Sequence, residues 1–297
     1  MTVAYIVLSH RNPEQVLRLV RALGEGPAAR VLVRHDPRGA ALSPADVEAA
    51  GGEAIEDDIE SRWGGWSQVE LIFACLREAA ARHDPDWVLV LSGQDYPLRP
   101  LAEIEADLAT STADGRLGAV REVERRRPPP GEDEFFLRCR YRHYTRPRAM
   151  PGLPRVTRPL LYTRDLPPLV GLRRLARPPL PFFASADWLT LGPRAIAAVL
   201  AASEDRRLMR HFRRVAVPSE SFFASVLLAD ASLTIEGDNR RFAPFSREGA
   251  PHPDTLTSSD HERLLASGAD FARKFDAALD SHVLDLLDEH RRLSLGR

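Results

Sequence analysis

Lysine is almost missing from this chain: of its 41 Lys and Arg residues, only Lys274 is a lysine. Surface ion pairs and solvated faces accept arginine in its place, but a site that needs a compact ammonium on a flexible stem does not. Two readings of Lys274 stay open. It is either a survivor on a solvated face or a point charge that meets a small anion such as phosphate. Cysteine is scarce too. Cys75 and Cys139 offer neither a disulfide framework nor a zinc spacing, and Cys75 falls on the apolar face of a predicted helix as a small hydrophobe. No apolar run approaches membrane-spanning length, and Val3 to Leu8 lacks a cationic leader or cleavage site, so the expected compartment is the cytoplasm. There is no excess of either charge. A net charge of −1 removes the global electrostatic case for nucleic acid or an anionic membrane. Neither G-x-G-x-x-G after the first strand nor a Walker lysine is present, which leaves dinucleotide and P-loop readings unsupported.

What is present is ample for a core: 297 residues with 44% apolar content. Val3 to Leu8 reads as a buried parallel strand, and Asn12-Pro13 as the N-cap and first residue of a helix that Gly24 stops. A strand at Val31 to Val33 runs into Arg34-His35-Asp36. A short helix starts at Ser43-Pro44, and a weak strand lies near Ala54-Ile55. Ser67-Gln68-Val69-Glu70 has the pattern of a capping box opening a helix to about Ala81, and Trp87 to Leu91 is the clearest strand. Strand alternating with helix predicts an α/β fold with an open, mostly parallel central sheet flanked by helices. In such sheets ligands bind beyond the carboxyl ends of the strands, here marked by His10, Asp36, and Ser92-Gly93-Gln94-Asp95.

From Arg121 to Pro181 the composition turns to Arg, Pro and aromatics, and the prolines argue against continuous helix or a central strand. The stretch reads as loops and a short hairpin lining one side of a cleft, or as a solvated insertion. Phe182 to Leu191 is expected to be one strand, followed by a helix from Pro193 to about Ala202. Ser219 is the expected N-cap of a helix with Glu220 in its first turn, where a carboxylate complements the helix dipole.

Several of these segments together resemble one family. Arg62-Trp63-Gly64-Gly65-Trp66-Ser67 and Leu91-Ser92-Gly93-Gln94-Asp95-Tyr96-Pro97-Leu98 are similar to motifs of the core-2/I-branching glycosyltransferases. That family includes branching N-acetylglucosaminyltransferases and peptide O-xylosyltransferases. Ser185-Ala186-Asp187-Trp188 resembles its G-S-x-W segment, with Ala184 where the family usually has glycine. Pro218-Ser219-Glu220-Ser221-Phe222-Phe223 resembles P-x-E-S-F-F, and Phe271-Ala272-Arg273-Lys274-Phe275 its F-A-R-K-F. The resemblance covers about residues 3 to 276. It implies one GT-A-like nucleotide-sugar transferase domain, with a nucleotide-binding half at 1–120, the Arg/Pro/aromatic loops at 121–181 and an acceptor and catalytic half at 182–297.

The resemblance also implies roles. Glu220 is the general base. Lys274 and Arg273 meet the diphosphate of a UDP-sugar, with Arg247 or Arg273 as the second cation. His10, Asp36 and Arg38 lie near the nucleotide, although Asp36 also reads as a turn residue before Pro37. Trp63, Gly64, Gly65, Gln94, Asp95, Asp187 and Trp188 line the sugar and acceptor pocket, while the glycines also suit a plain turn and Trp188 a core position. Asp-x-Asp is absent after the Trp87 to Leu91 strand, so no divalent metal and no other cofactor is expected. The implied reaction is an inverting, metal-independent transfer from a UDP-sugar, GlcNAc before xylose, to a hydroxyl of a glycan, peptide or small molecule, in a cytoplasmic, bacterial-type enzyme. Two other classes stay open: a non-catalytic nucleotide-sugar or glycan-binding protein, and a module that binds nucleic acid or a partner through the Arg/Tyr/Pro middle.

Overall fold

A computed structural model describes residues 1–123, 178–246 and 252–295. Arg247, Cys139 and the loops expected between 124 and 177 lie outside the described residues. In chain order the first half runs β1 (Val3–Ser9), α1 (Pro13–Leu23), β2 (Ala29–His35), α2 (Pro44–Ala49), β3 (Glu53–Ala54), α3 (Ser67–His83), β4 (Trp87–Ser92), β5 (Asp95–Pro97), α4 (Leu101–Thr110), β6 (Gly115–Arg116) and β7 (Arg121–Glu122). The second half adds β8 (Phe183–Ala184), β9 (Thr190–Leu191), α5 (Pro193–Ala202), α6 (Arg206–Phe212), α7 (Ser219–Ala229), β10 (Ile235–Glu236), β11 (Arg241–Phe242), α8 (His261–Ala266), β12 (Phe271–Arg273) and α9 (His282–Leu295).

The main sheet has the order β10-β6-β9-β4-β1-β2-β3, and β9 alone runs antiparallel to its neighbours. This is the α/β, mostly parallel architecture that the alternation of patterns predicts. A strand buried on both faces needs apolar residues at successive positions, and β1 supplies them. Val3, Tyr5 and Val7 pack on one face with α1 and α4, and Ala4 and Ile6 on the other with α3 and α7. Each fully buried side chain of this kind contributes roughly 1.5–3 kcal/mol. A second, three-stranded sheet, β11-β12-β5, continues from the carboxyl end of β4.

Two expected caps and one strand are corrected, and a third cap is met in position only. Asn12 holds the expected N-cap position before Pro13, but it is left-handed (φ 51°, ψ 60°) and its side chain makes no capping bond; its Nδ2 donates instead to Asp276 Oδ1 at 3.0 Å. The Ser67 box does not form. Ser67 is the first helical residue, and its Oγ accepts from Arg62 N at 2.9 Å, which fastens the preceding loop to the helix. Ser219 likewise sits inside α7, which follows Pro218, and its buried hydroxyl makes no hydrogen bond among the described residues. The strand expected from Phe182 to Leu191 is two short pieces, β8 and β9, in different sheets. Ser185 breaks it by bonding away from both: its N donates to Glu220 O at 2.8 Å and its Oγ to Gly118 O at 2.9 Å.

Candidate active site

The expected site residues gather beyond the carboxyl ends of β1, β2 and β4, joined by a ring of contacts. The loop carrying Trp63 and Gly64 docks on the start of α7, where Val217 N donates to Gly64 O at 3.1 Å. Gly64 takes a φ of +69°, a conformation that any side chain would strain. Val217 is itself left-handed (φ 45°), which for a β-branched residue costs on the order of 1–3 kcal/mol. Three residues later Glu220 stands half-buried in the first turn of α7. Its helix is anchored by an aromatic cluster in which Phe222 meets Phe212, Phe73 and Trp66 at 5.1, 5.4 and 5.6 Å between ring centroids.

From Glu220 the ring passes through Ser185 to Asp187 and Trp188. Trp188 lies under the Arg273 guanidinium at 3.9 Å, within cation–π distance. The antiparallel register sets Arg273 opposite Asp95, and Arg273 Nε lies 3.4 Å from Asp95 Oδ1. Asp95 also pairs with Arg241 Nη1 at 3.3 Å and accepts from Ser92 Oγ (2.8 Å) and Ser92 N (3.1 Å). Its side chain is 1% exposed, so it is committed to these partners rather than open to a sugar. Arg241 is equally buried. Desolvation pulls its pKa down to about 10 while Asp95 opposes, leaving it charged at neutral pH. Arg273 is held low for the same first reason, with Asp95 and Asp187 opposing.

Lys274 does not share this arrangement. Among the described residues no carboxylate lies within ion-pair distance of its ammonium, and its backbone is tied to the 254–256 loop through Asp254 O and Leu256 N. In that loop His252 meets the exposed Trp63 ring edge-on at 6.5 Å. The His252 imidazole is held below its ordinary pKa by partial burial, then by Lys274, Arg273 and Arg11. The ring of contacts thus closes at Trp63.

The expected nucleotide side joins through the strap before Trp63. Asp36 accepts a fork from Arg38 Nε (2.9 Å) and Nη2 (2.6 Å), which lowers its pKa to about 2. Arg38 also donates to Ser61 O, two residues before Trp63. His10 is exposed beside them. Gly39 crosses its backbone so closely that a Cβ would stand 1.8 Å from His10 O. Gln94 acts through bonds to the backbone, its Nε2 donating to Phe275 O at 3.3 Å and its O accepting from Phe275 N. Gly65 lies in the same loop as Trp63, its N donating to Arg62 O at 2.9 Å.

Sequence reasoning missed His252, Arg11 and Gln15. Histidine beside proline in a loop carries no periodicity, and Gln15 reads as an ordinary residue of an amphipathic helix. Its contacts lie some 260 positions away: Nε2 donates to Phe275 O and Oε1 accepts from Ala277 N. Among the described residues no group of three or more His, Cys, Asp or Glu is placed to hold a metal ion, and no helix is long and apolar enough to cross a membrane.

No protein-family model matches the chain, and no curated protein matches it in sequence. Solved structures similar to it include mouse xyloside xylosyltransferase 1 in its apo form, at 10% identity and a TM-score of 0.40, covering 91% of this chain and 97% of that one. A protein described as a glucose-1-phosphate thymidylyltransferase from Bacillus anthracis, in complex with sucrose, is similar at 7% identity and a TM-score of 0.37. That match covers 79% of this chain and 87% of the other. Likeness at this level bears on neither site nor substrate.

Proposed function

We propose that the protein is an inverting glycosyltransferase of GT-A-like architecture that moves a sugar, GlcNAc first, from a UDP-sugar to an acceptor hydroxyl in the cytoplasm. One observation carries this reading. Five stretches scattered from Trp63 to Lys274 close into one ring of contacts at the carboxyl ends of the central strands, where an open α/β sheet binds its ligands. In the proposed reaction Glu220 takes the proton of the acceptor hydroxyl as its oxygen attacks the anomeric carbon. The bond from that carbon to the diphosphate oxygen breaks on the opposite face, so an α-linked donor gives a β-glycoside. The charge left on UDP is met by the Lys274 ammonium. Asp36 and Arg38 stand on the nucleoside side, and Asp187 and Trp188 beside the acceptor.

The leaving-group chemistry is proposed to need no divalent metal. The one carboxylate directly after β4, Asp95, is committed to two arginines, while Asp84 and Asp86 precede the strand at its opposite end.

The test is release of UDP from UDP-GlcNAc and UDP-xylose across a panel of glycan, peptide and small-molecule acceptors, run in EDTA and again with Mn²⁺. The reading expects acceptor-dependent release in EDTA, faster from UDP-GlcNAc. Release only with Mn²⁺ would remove the metal-independent mechanism. Preference for UDP-xylose would reassign the donor, and donor binding without turnover would leave a nucleotide-sugar-binding protein.

A further inference from the structure

A diphosphate spreads its charge over two phosphorus centres, and one ammonium answers only part of it. The neighbour of Lys274 in sequence, Arg273, is turned to Asp95 and Trp188. The turn between β1 and α1 is held near residues 275–277 by Gln15 at the start of α1, which donates to Phe275 O at 3.1 Å and accepts from Ala277 N at 2.7 Å. In that turn Arg11 Nη2 stands 3.7 Å from Asp276 Oδ2, and Asn12 Nδ2 donates to Asp276 Oδ1 at 3.0 Å. Arg11 is 42% exposed at its side chain, yet its Nε is buried and has no hydrogen-bond partner among the described residues.

Arg11 therefore stands beside Asp276, two residues after Lys274 in the chain. His252 feels Lys274, then Arg273 and Arg11, and Arg11 acts on His10 as well. The carboxylate nearest to Arg11, Asp276, already accepts from Asn12, and at 3.7 Å its ion pair with Arg11 is loose. A loose, half-exposed pair gives way readily to an anion that can take a guanidinium fork in two parallel hydrogen bonds.

We infer that Arg11 is the second cation of the diphosphate site, opposite Lys274, and that Arg273 serves the acceptor side through Trp188. The assignment rests on the UDP-sugar reading above. It adds a phosphate ligand from the β1–α1 turn and takes one away from β12.

The test is calorimetric titration of UDP and of uridine into the full chain in EDTA, with wild type, Arg11→Ala, Arg11→Lys and Lys274→Ala. Loss of a charged hydrogen-bond donor predicts that Arg11→Ala weakens UDP binding roughly 10- to 100-fold. Uridine binding should stay unchanged, and Arg11→Lys should recover part of the UDP affinity. Arg11→Ala binding UDP as tightly as wild type, while Lys274→Ala loses it, would overturn the assignment and leave the donor reading intact. Equal weakening of UDP and uridine would place Arg11 at the nucleoside and overturn it as well. No UDP binding by the wild type would overturn the donor reading, and this assignment with it.

Discussion

Glu220→Gln is expected to abolish sugar transfer while leaving UDP binding within about twofold of wild type. Glutamine keeps the size and the hydrogen-bonding shape of the side chain but cannot take the acceptor proton. General-base catalysis is worth about 10²–10⁴-fold, and the transfer rate should fall by that amount. The fold should barely notice. Glu220 is half-buried in the first turn of α7, where loss of its charge costs about 0.3–1 kcal/mol of dipole complement. The elements that fix α7, the Phe222 aromatic cluster and the backbone bond from Ser185 N to Glu220 O, do not depend on the carboxylate. Transfer rates under donor and acceptor saturation, with a thermal melt of both proteins, measure this. A variant within tenfold of wild type would remove Glu220 as the base.

Asp95→Ala carries the largest expected cost in stability. Asp95 is the carboxylate shared by Arg241, which is 2% exposed, and Arg273, which is 16% exposed. Its removal leaves a buried guanidinium uncompensated, a change that typically costs about 3–5 kcal/mol. It also frees Arg273 from the orientation that lays it over Trp188, so the near-ultraviolet signal of the indole should change in the folded protein. Urea unfolding measures the first effect and circular dichroism the second. Replacing Arg241 with methionine in the same protein should return much of the lost stability, since the buried charge is then gone as well. A loss under about 1 kcal/mol would mean that water reaches Arg241 and that the Asp95 pairing is incidental.

The main strands and the longer helices were legible because burial on one or two faces imposes a period. Val3 to Leu8 and Trp87 to Leu91 had to be inner strands, and β1, β4 and α3 lie where those patterns place them. Caps were legible only where local competition decides them. Ser43 forms its full capping box with Asp46, whereas Asn12 and Ser67 are drawn away by Asp276 and Arg62. The segments of the candidate site were legible one by one. Glu220, Trp63, Asp187, Trp188 and Lys274 come from recognisable segments, and the structure brings those segments together.

What the sequence could not convey is how differently two adjacent cations are partnered. Arg273 and Lys274 are neighbours in one motif, but the register of β12 on β5 commits the first to Asp95. Arg11 has no motif at all, and the turn that carries it meets residues 275–277 only through contacts 260 or more positions apart. Asp95 itself reads as a polar residue at a strand end, the commonest place for a ligand contact. Only its near-complete burial between two arginines shows it to be a holding residue instead.

The most direct test of the account is calorimetric titration of UDP into EDTA-treated protein, comparing wild type with Lys274→Ala. The account predicts metal-free binding by the wild type and a loss of roughly 10-fold or more in the variant, while uridine binds both alike. Equal UDP binding by the two proteins, or binding that returns only with Mn²⁺, would contradict it.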